Sequence, residues 1–176
     1  MLFNSLSFAV FLPIVFGLYW SLPHKARWLL LLVASYWFYM SWNPKYVVLI
    51  LFTTAVSYLA GLMIEKQDSA VKKKQILAFT GIACLGVLFF FKYFNFVSRS
   101  AANAAALFGI RMDPLILKLL LPVGISFYTF QTLSYVIDVY RGTVPAEHHF
   151  GKYATFVSFF PQLVAGPIER SGNLTH

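Results

Sequence analysis

Charged residues are scarce in this sequence, and acidic residues are the scarcest of them. Only 11% of the 176 residues are charged and 59% are hydrophobic, whereas an ordinary soluble domain has about 25% charged residues. Six stretches contain no charged side chain; they are residues 1–23, 28–44, 46–64, 75–91, 119–137 and 153–168. Each is close to the length of about 20 apolar residues that crosses a bilayer as a helix. The shortage of charge excludes a soluble globular domain and predicts an all-α, polytopic transmembrane bundle.

Cysteine is almost absent, and the common metal and catalytic motifs are missing. The single cysteine, Cys84, lies inside an apolar run, which excludes a disulfide framework and a cysteine-rich metal site. The sequence has no zinc-protease, phosphate-loop or nucleophile-elbow motif. His148 and His149 are adjacent in a polar loop, where neighbouring side chains point apart. We therefore predict no metal site, and the residues by themselves reveal no reaction.

The basic residues lie between the apolar runs, although they give the chain a net charge of +8. This placement is typical of loops and helix ends near anionic headgroups, so it indicates a lipid bilayer as partner and no nucleic acid. The first and third loops carry more Lys and Arg than the second and fourth loops. By the positive-inside rule, this asymmetry predicts a multi-pass protein whose N-terminus is outside the cytoplasm.

The apolar runs predict about five or six membrane-embedded helices. Spans at about 5–22, 28–42 and 46–64 form a packet with short connections. The full division is a three-span packet at 1–64, a fourth span at 76–97, an interfacial segment at 98–118, and motif-bearing spans at 119–139 and 151–168. The interfacial segment is interpreted as a surface or interfacial helix and a turn, with a re-entrant piece as the alternative. Lys92, near the end of the fourth span, is expected to extend its ammonium group to the interface.

The fifth span differs from the others because it carries a polar stripe. Helical spacing places Tyr128, Gln131, Tyr135 and Asp138 on one side, with Ser134 beside them. A stripe of this kind facing lipid would leave its hydrogen-bonding groups unsatisfied, so it should face other helices or a wet cavity. Two interpretations stay open, which are hydrogen bonding between helices and the lining of a substrate tunnel.

The last span contains residues that break helices. Pro161, Gly166 and Pro167 interrupt it at membrane depth, where irregular backbone must be buried in protein or line a cavity. The polar residues of this segment that we predict to line a tunnel are Gln162, Glu169 and Arg170. The alternative is a helix end at the interface, with Glu169 and Arg170 paired in solvent.

Two strings, LPVGISFYTFQTLSYVIDVYRG and FVSFFPQLVAGPIER, resemble the membrane-bound O-acyltransferase (MBOAT) family. The opening MLFNSLSFAVFLPIVFGLYW and the later SYWFYMSWNPKYVVLIL resemble the branch of bacterial alginate O-acetyltransferase membrane subunits. The resemblance covers nearly the whole chain. It implies a protein of the bacterial cytoplasmic (inner) membrane that transfers an acyl group, often acetyl, to hydroxyls of an exported or cell-surface polysaccharide.

The same resemblance implies the remaining components of the reaction. The acyl donor would be acetyl-CoA or another acyl thioester or carrier, and the partners would be the polysaccharide acceptor and other polysaccharide-modification proteins. Members of the family are much longer, so we expect this chain to be an N-terminal portion. The family's histidine, its presumed general base, would lie beyond residue 176, so no catalytic residue is assigned here.

Two alternatives come from other functional classes. The chain is also compatible with a non-catalytic membrane protein, either a truncated remnant or a small partner subunit that binds other helices. A small transporter or channel would need charged residues along a pathway. Lys92 and Asp138 are its candidates, and both lie near the ends of predicted spans.

Overall fold

The protein is a helical bundle, described here by a computed structural model. The structure describes residues 5–41, 43–107, 113–117, 122 and 124–165. This part of the chain forms α-helices and contains no β-strand. The helices are α1 (Leu6–Ser21), α2 (Arg27–Met40), α3 (Val47–Glu65), α4 (Ala70–Leu107), α5 (Ile125–Arg141), α6 (Phe150–Ser158) and α7 (Phe160–Ala165).

The first three helices lie within two residues of the predicted spans. The Ser5 side chain caps α1 by accepting a hydrogen bond from the Phe8 N–H at 3.3 Å. Short 3₁₀ turns at His24–Ala26 and Pro44–Tyr46 connect the helices. In the second turn, the Asn43 side chain accepts a hydrogen bond from the Lys45 N–H at 3.1 Å. Local sequence is therefore sufficient to begin and end these helices.

The fourth helix is longer than the predicted span at 76–97. It runs unbroken for 38 residues, from Ala70 to Leu107. The segment predicted to be separate and interfacial is thus a continuation of α4 as far as Leu107; residues 108–112 and 118 lie outside the described residues. The reason is that alanine and lysine favour helix, whether or not the surroundings are lipid. At about 1.5 Å per residue the helix is about 57 Å long, so it extends beyond a hydrocarbon core of about 30 Å.

The motif-bearing segments form three helices. Gly124 and Gly142 cap the two ends of helix α5. Their φ angles, 75° and 73°, lie in the left-handed region that favours glycine. The helical break in the last segment lies at Phe159, two residues before the proline that predicted it. Pro161 is in the first turn of α7, where its missing N–H costs no hydrogen bond. Gly166 and Pro167 lie outside the described residues.

Helix α3 occupies the centre of the bundle and packs against α4, α5 and α6. Helix α2 packs against α6, α1 and α7. Around α3, the core includes Ile50, Ile64, Tyr128, Val136 and Val157, all fully buried. A second cluster joins α1, α2 and α7 through the phenylalanines Phe8, Phe11, Phe38 and Phe160.

The outer surface of the bundle is apolar. Large side chains on α1 and α4 are exposed, including Leu6 at 85%, Ile82 at 74% and Phe79 at 71%. Exposing so many large apolar side chains to water would be unfavourable, whereas lipid solvates them without cost. In length and composition, the segment 44–65 and helix α4 each suffice to cross a membrane, and α1 is a shorter apolar helix. The chain is therefore a helical membrane protein.

Candidate functional site

The polar stripe of α5 faces protein. Tyr128, Gln131 and Tyr135 are buried, and Ser134 and Asp138 are partly buried. The side of α5 that carries them packs against α3 and α6. The expectation that this stripe avoids lipid agrees with these positions, and the hydrogen bonds of its members show how the site is built.

Gln131 provides a hydrogen bond for a backbone carbonyl at the break between α6 and α7. In a continuous helix the Phe156 carbonyl would accept a hydrogen bond from the Phe160 N–H, but the non-helical backbone of Phe159, with ψ at 109°, separates them. The Gln131 side-chain amide donates to the Phe156 carbonyl at 3.0 Å. The Phe160 N–H donates to the Ser35 hydroxyl at 3.2 Å. Two side chains from other helices therefore replace the lost helical hydrogen bond, as irregular backbone at membrane depth requires.

The same amide joins α5 to α7. Its nitrogen lies 3.5 Å from the Gln162 side-chain oxygen, so two residues of the predicted tunnel lining meet here. Gln131 is 4% exposed and Gln162 is partly exposed. The pair forms a polar connection between α5 and α7.

Tyr135 packs into a gap on α3 that has room because Gly61 has no side chain. A Cβ at Gly61 would lie 2.7 Å from the Tyr135 hydroxyl oxygen. That oxygen accepts a hydrogen bond from the Glu147 N–H at 3.0 Å, and the Tyr135 ring centroid lies 4.6 Å from that of Tyr153. The Tyr153 hydroxyl in turn donates to Ser57 at 2.7 Å. Small residues four apart on α3 could have predicted this close packing, since such spacing marks contacts between membrane helices.

A second group of buried hydroxyls lies at the opposite end of α5. Tyr39 and Tyr128 are 6% and 0% exposed, and their hydroxyls have no hydrogen-bond partner among the described residues. The Thr129 hydroxyl is also buried without a hydrogen-bond partner among the described residues. This end of the stripe is therefore polar, buried and incompletely satisfied by the part of the chain that the structure describes.

The loop between α5 and α6 is held to the end of α3 by Glu65. One carboxylate oxygen accepts a hydrogen bond from the Ala146 N–H at 3.1 Å, and the other lies 3.0 Å from His148 Nε2. The Tyr58 hydroxyl donates to the His148 carbonyl at 2.6 Å. His149 caps α6 by accepting from the Lys152 N–H at 3.3 Å. The two histidines thus have separate structural contacts, and the described residues contain no cluster of three metal-ligating side chains.

The Glu65 contact leads to a first prediction. Glu65→Ala is expected to lower the free energy of unfolding by about 1–3 kcal/mol, because the buried Ala146 N–H loses its acceptor. A thiol-probe melt, in which the protein is heated in detergent with a thiol-reactive fluorophore, measures the loss of stability. The single cysteine, Cys84, is fully buried and reacts only on unfolding. Glu65→Gln keeps an oxygen for Ala146 and should melt close to the parent. Equal losses in both variants would contradict this assignment.

A cleft of about 860 Å³ opens where the α1–α2 turn meets the loop before α6. Its basic lining residues are His24, Lys25, Arg27 and Lys152, and its walls are largely aromatic. Of the described residues that were predicted to line a tunnel, Tyr135 is the one that lines this cleft. The sequence analysis missed the others, because they come from segments more than a hundred residues apart that only the fold brings together.

The remaining predicted residues are distributed as follows. Asp138 lies at the end of α5 near the loop, where its backbone carbonyl accepts from the Thr143 N–H at 3.0 Å. Lys92 is exposed, with its ammonium 3.5 Å from the Ser126 hydroxyl and 5.5 Å from the Tyr93 ring. Lys92 and Asp138 therefore lie at opposite ends of α5. Glu169 and Arg170 lie outside the described residues.

Comparison with known proteins gives a consistent set of relatives. The chain is 42% identical over 177 residues to the probable alginate O-acetylase AlgI of Pseudomonas aeruginosa, covering 99% of this chain and 34% of that protein. It is 41% identical to the protein of the same name from Azotobacter vinelandii, over 99% of this chain and 35% of that protein. It is 32% identical to a peptidoglycan O-acetyltransferase of Helicobacter pylori, over 96% of this chain and 37% of that protein.

The chain spans about a third of the length of these curated relatives. No protein-family model matches it. No solved structure matches it either. The similarity to the relatives is spread over nearly the whole chain, so it includes both the polar stripe of α5 and the interrupted helices α6 and α7.

Proposed function

Because the chain is a homologue of the alginate O-acetylases along its length, we propose that it is the N-terminal part of a membrane-bound O-acyltransferase. The whole enzyme would transfer an acetyl group to hydroxyls of an exported or cell-surface polysaccharide. The observation that carries this proposal is 42% identity over 99% of the chain. An alignment that covers nearly the whole chain favours the acyltransferase over a non-catalytic membrane protein.

The reaction would be acyl transfer from a thioester to an alcohol. A general base takes the proton of the acceptor hydroxyl, whose oxygen attacks the thioester carbonyl, and the thiol leaves with a proton. The donor would be acetyl-CoA or another acyl thioester or carrier. The base would come from a part of the enzyme other than the residues described here.

In this proposal the described residues build one wall of the substrate path. Tyr128, Gln131 and Tyr135 present buried hydroxyl and amide groups, which suit a polar acceptor better than an apolar wall does. The hydroxyls of Tyr39, Tyr128 and Thr129 are buried without full hydrogen bonding. Such groups gain stability when a polar molecule or another segment reaches them. Ser134, Asp138 and Gln162 would line the same path.

The acceptor is proposed at the level of chemical class. The names specify alginate for the Pseudomonas and Azotobacter relatives and peptidoglycan for the Helicobacter relative, so the common feature is a carbohydrate hydroxyl. Other polysaccharide-modification proteins would act with the enzyme. The polysaccharide that is acetylated would follow from the organism's own surface polymers.

The proposed location is the bacterial inner membrane, with several spans and an outside N-terminus. Basic residues concentrate at the end of the bundle where α1 ends and α5 ends; they are Lys25, Arg27, Lys66, Lys72, Lys73, Lys74, Arg141 and Lys152. The opposite end carries Lys45, Lys92 and Arg99 among the described residues. The richer end would face the cytoplasm by the positive-inside rule.

Deleting the whole gene that encodes this chain tests the proposal. We expect the acetyl signals in proton NMR spectra of the purified surface polysaccharides to disappear from one polymer, while its sugar content stays the same. Restoring the intact gene should restore the acetyl signals. Unchanged acetylation of every surface polysaccharide would contradict the proposed function.

A further inference from the structure

The cleft beside the α1–α2 turn combines a basic rim with aromatic walls. Lys25 and Lys152 are exposed at the rim, and neither pairs with a carboxylate among the described residues. The acidic lining residue, Glu147, accepts a hydrogen bond from the His149 N–H at 2.8 Å. With Arg27 also present, the cleft carries a net positive charge.

Arg27 is held in place before any ligand arrives. Its Nε donates to the Leu22 carbonyl at 3.2 Å, and its guanidinium lies 4.8 Å from the Tyr19 ring centroid and 5.5 Å from that of Trp20. A cation positioned in this way loses little rotamer entropy when it binds an anion. The rim is therefore partly preorganised for an anionic group.

The aromatic wall of the cleft also has a fixed shape. Gly151 lies directly against the Trp28 ring, so any side chain at this position would collide with it. The same indole packs edge-on against His149, with centroids 4.8 Å apart. Leu31, Phe156 and Phe159 add further apolar side chains to the lining. At about 860 Å³, the cleft lies within the range of about 300–1,000 Å³ typical of small-molecule sites.

The position of the cleft indicates the source of its ligand. It opens where α1 ends and α2 begins, and the exposed side chains of these two helix ends include the apolar residues Leu18, Trp20 and Leu29. This is the depth of the headgroups, where basic pockets between membrane helices bind anionic lipids. A water-soluble ligand would not need the apolar side chains of Leu31, Phe156 and Phe159 in the lining.

We infer that this cleft binds an anionic phospholipid, with the headgroup phosphate at Lys25, Arg27 and Lys152. An acyl chain lies along the wall formed by Leu31, Phe156 and Phe159. The inference is independent of acyl transfer, because it concerns a lipid that stays bound. A bound lipid joins the α1–α2 turn to α6 and so supports the end of the bundle.

Lipid titration followed by native mass spectrometry tests this inference on the purified protein in detergent. The first phosphatidylglycerol is expected to bind at least tenfold more tightly than the first phosphatidylcholine. Lys25→Gln/Lys152→Gln should weaken phosphatidylglycerol binding about 25-fold, at about fivefold for each lysine removed near the surface. Phosphatidylcholine binding should hardly change. Arg27 is left intact because its contacts support the turn itself.

The matched control removes the same charge from the same end of the bundle. Lys72→Gln/Lys74→Gln changes two exposed lysines of α4 outside the cleft and should weaken binding less than threefold. Equal effects in both double variants would overturn the site in favour of general attraction to the surface. Full competition by pyrophosphate at equal concentration would overturn the lipid in favour of a soluble phosphate ester. The thiol-probe melt confirms that each variant is folded.

Discussion

Replacing Gly61 by leucine is expected to prevent stable packing of α3 against α5. Even a Cβ would lie 2.7 Å from the Tyr135 hydroxyl and 3.0 Å from a Tyr135 ring carbon. Tyr135 is 2% exposed, its hydroxyl accepts a hydrogen bond from the Glu147 N–H, and its ring packs against Tyr153, so displacing it would break these contacts. We expect a loss of at least about 3 kcal/mol in the free energy of unfolding, at the upper end of overpacking effects.

The thiol-probe melt measures this loss through exposure of Cys84. Gly86→Leu is the matched control, since Gly86 lies on an exposed part of α4 and a Cβ there meets nothing within 4 Å. A leucine facing lipid should leave the melting temperature unchanged or raise it, because a helical glycine is replaced by a better helix former. Similar melting curves for the two variants would show that α3 and α5 do not approach this closely.

Replacing Gln131 by glutamate is expected to be almost as damaging, although the two side chains have nearly the same shape. The side-chain nitrogen that donates to the Phe156 carbonyl is replaced by a carboxylate oxygen, which cannot donate. This oxygen faces the Phe156 carbonyl and the Gln162 side-chain oxygen, which are also acceptors. Gln131 is 4% exposed, so the new charge lies away from solvent. Uncompensated buried charges cost about 3–5 kcal/mol. The interruption between α6 and α7 would lose its main support.

The control for this variant is Gln75→Glu, the same substitution at an exposed position of α4. It should change the free energy of unfolding by less than about 0.5 kcal/mol, as surface substitutions usually do. In cells, the whole enzyme with Gln131→Glu is expected to lose polysaccharide acetylation and the Gln75→Glu enzyme to keep it. A Gln131→Glu protein that melts like the parent would contradict the role assigned to this amide.

The helices were predictable to different degrees, and the differences have physical causes. Runs without charge predicted α1, α2 and α3 closely, because Pro23, Asn43 and Pro44 end the helices where the apolar runs end. The run without charge did not predict the full length of α4. Such a run indicates which residues lie in lipid, whereas residues with high helix propensity extend the helix beyond the run to Leu107. Pro161 indicated an interruption, but a proline is accepted in a first turn, so the break lies at Phe159.

The sequence predicted the α5 residues of the candidate site but not the residues that contact them. Helical spacing on α5 placed Tyr128, Gln131 and Tyr135 together and predicted that they avoid lipid. It did not indicate their partners, because Gly61, Phe156 and Glu147 lie in other helices and loops. The basic cleft was missed for the same reason, since none of its contributing segments is distinctive by itself.

The sequence alone determined that this protein lies in a membrane as a helical bundle, because the cost of placing charge and unpaired backbone in lipid acts on each segment separately. The tertiary structure decided which polar groups meet. Gln131 donates to the Phe156 carbonyl and Ser35 accepts from the Phe160 N–H, two groups that would bond to each other in a continuous helix. Tyr135 fills the space that Gly61 leaves, and the α1–α2 turn and α6 enclose a basic cleft. These contacts depend on the distances between helices, which local composition does not specify.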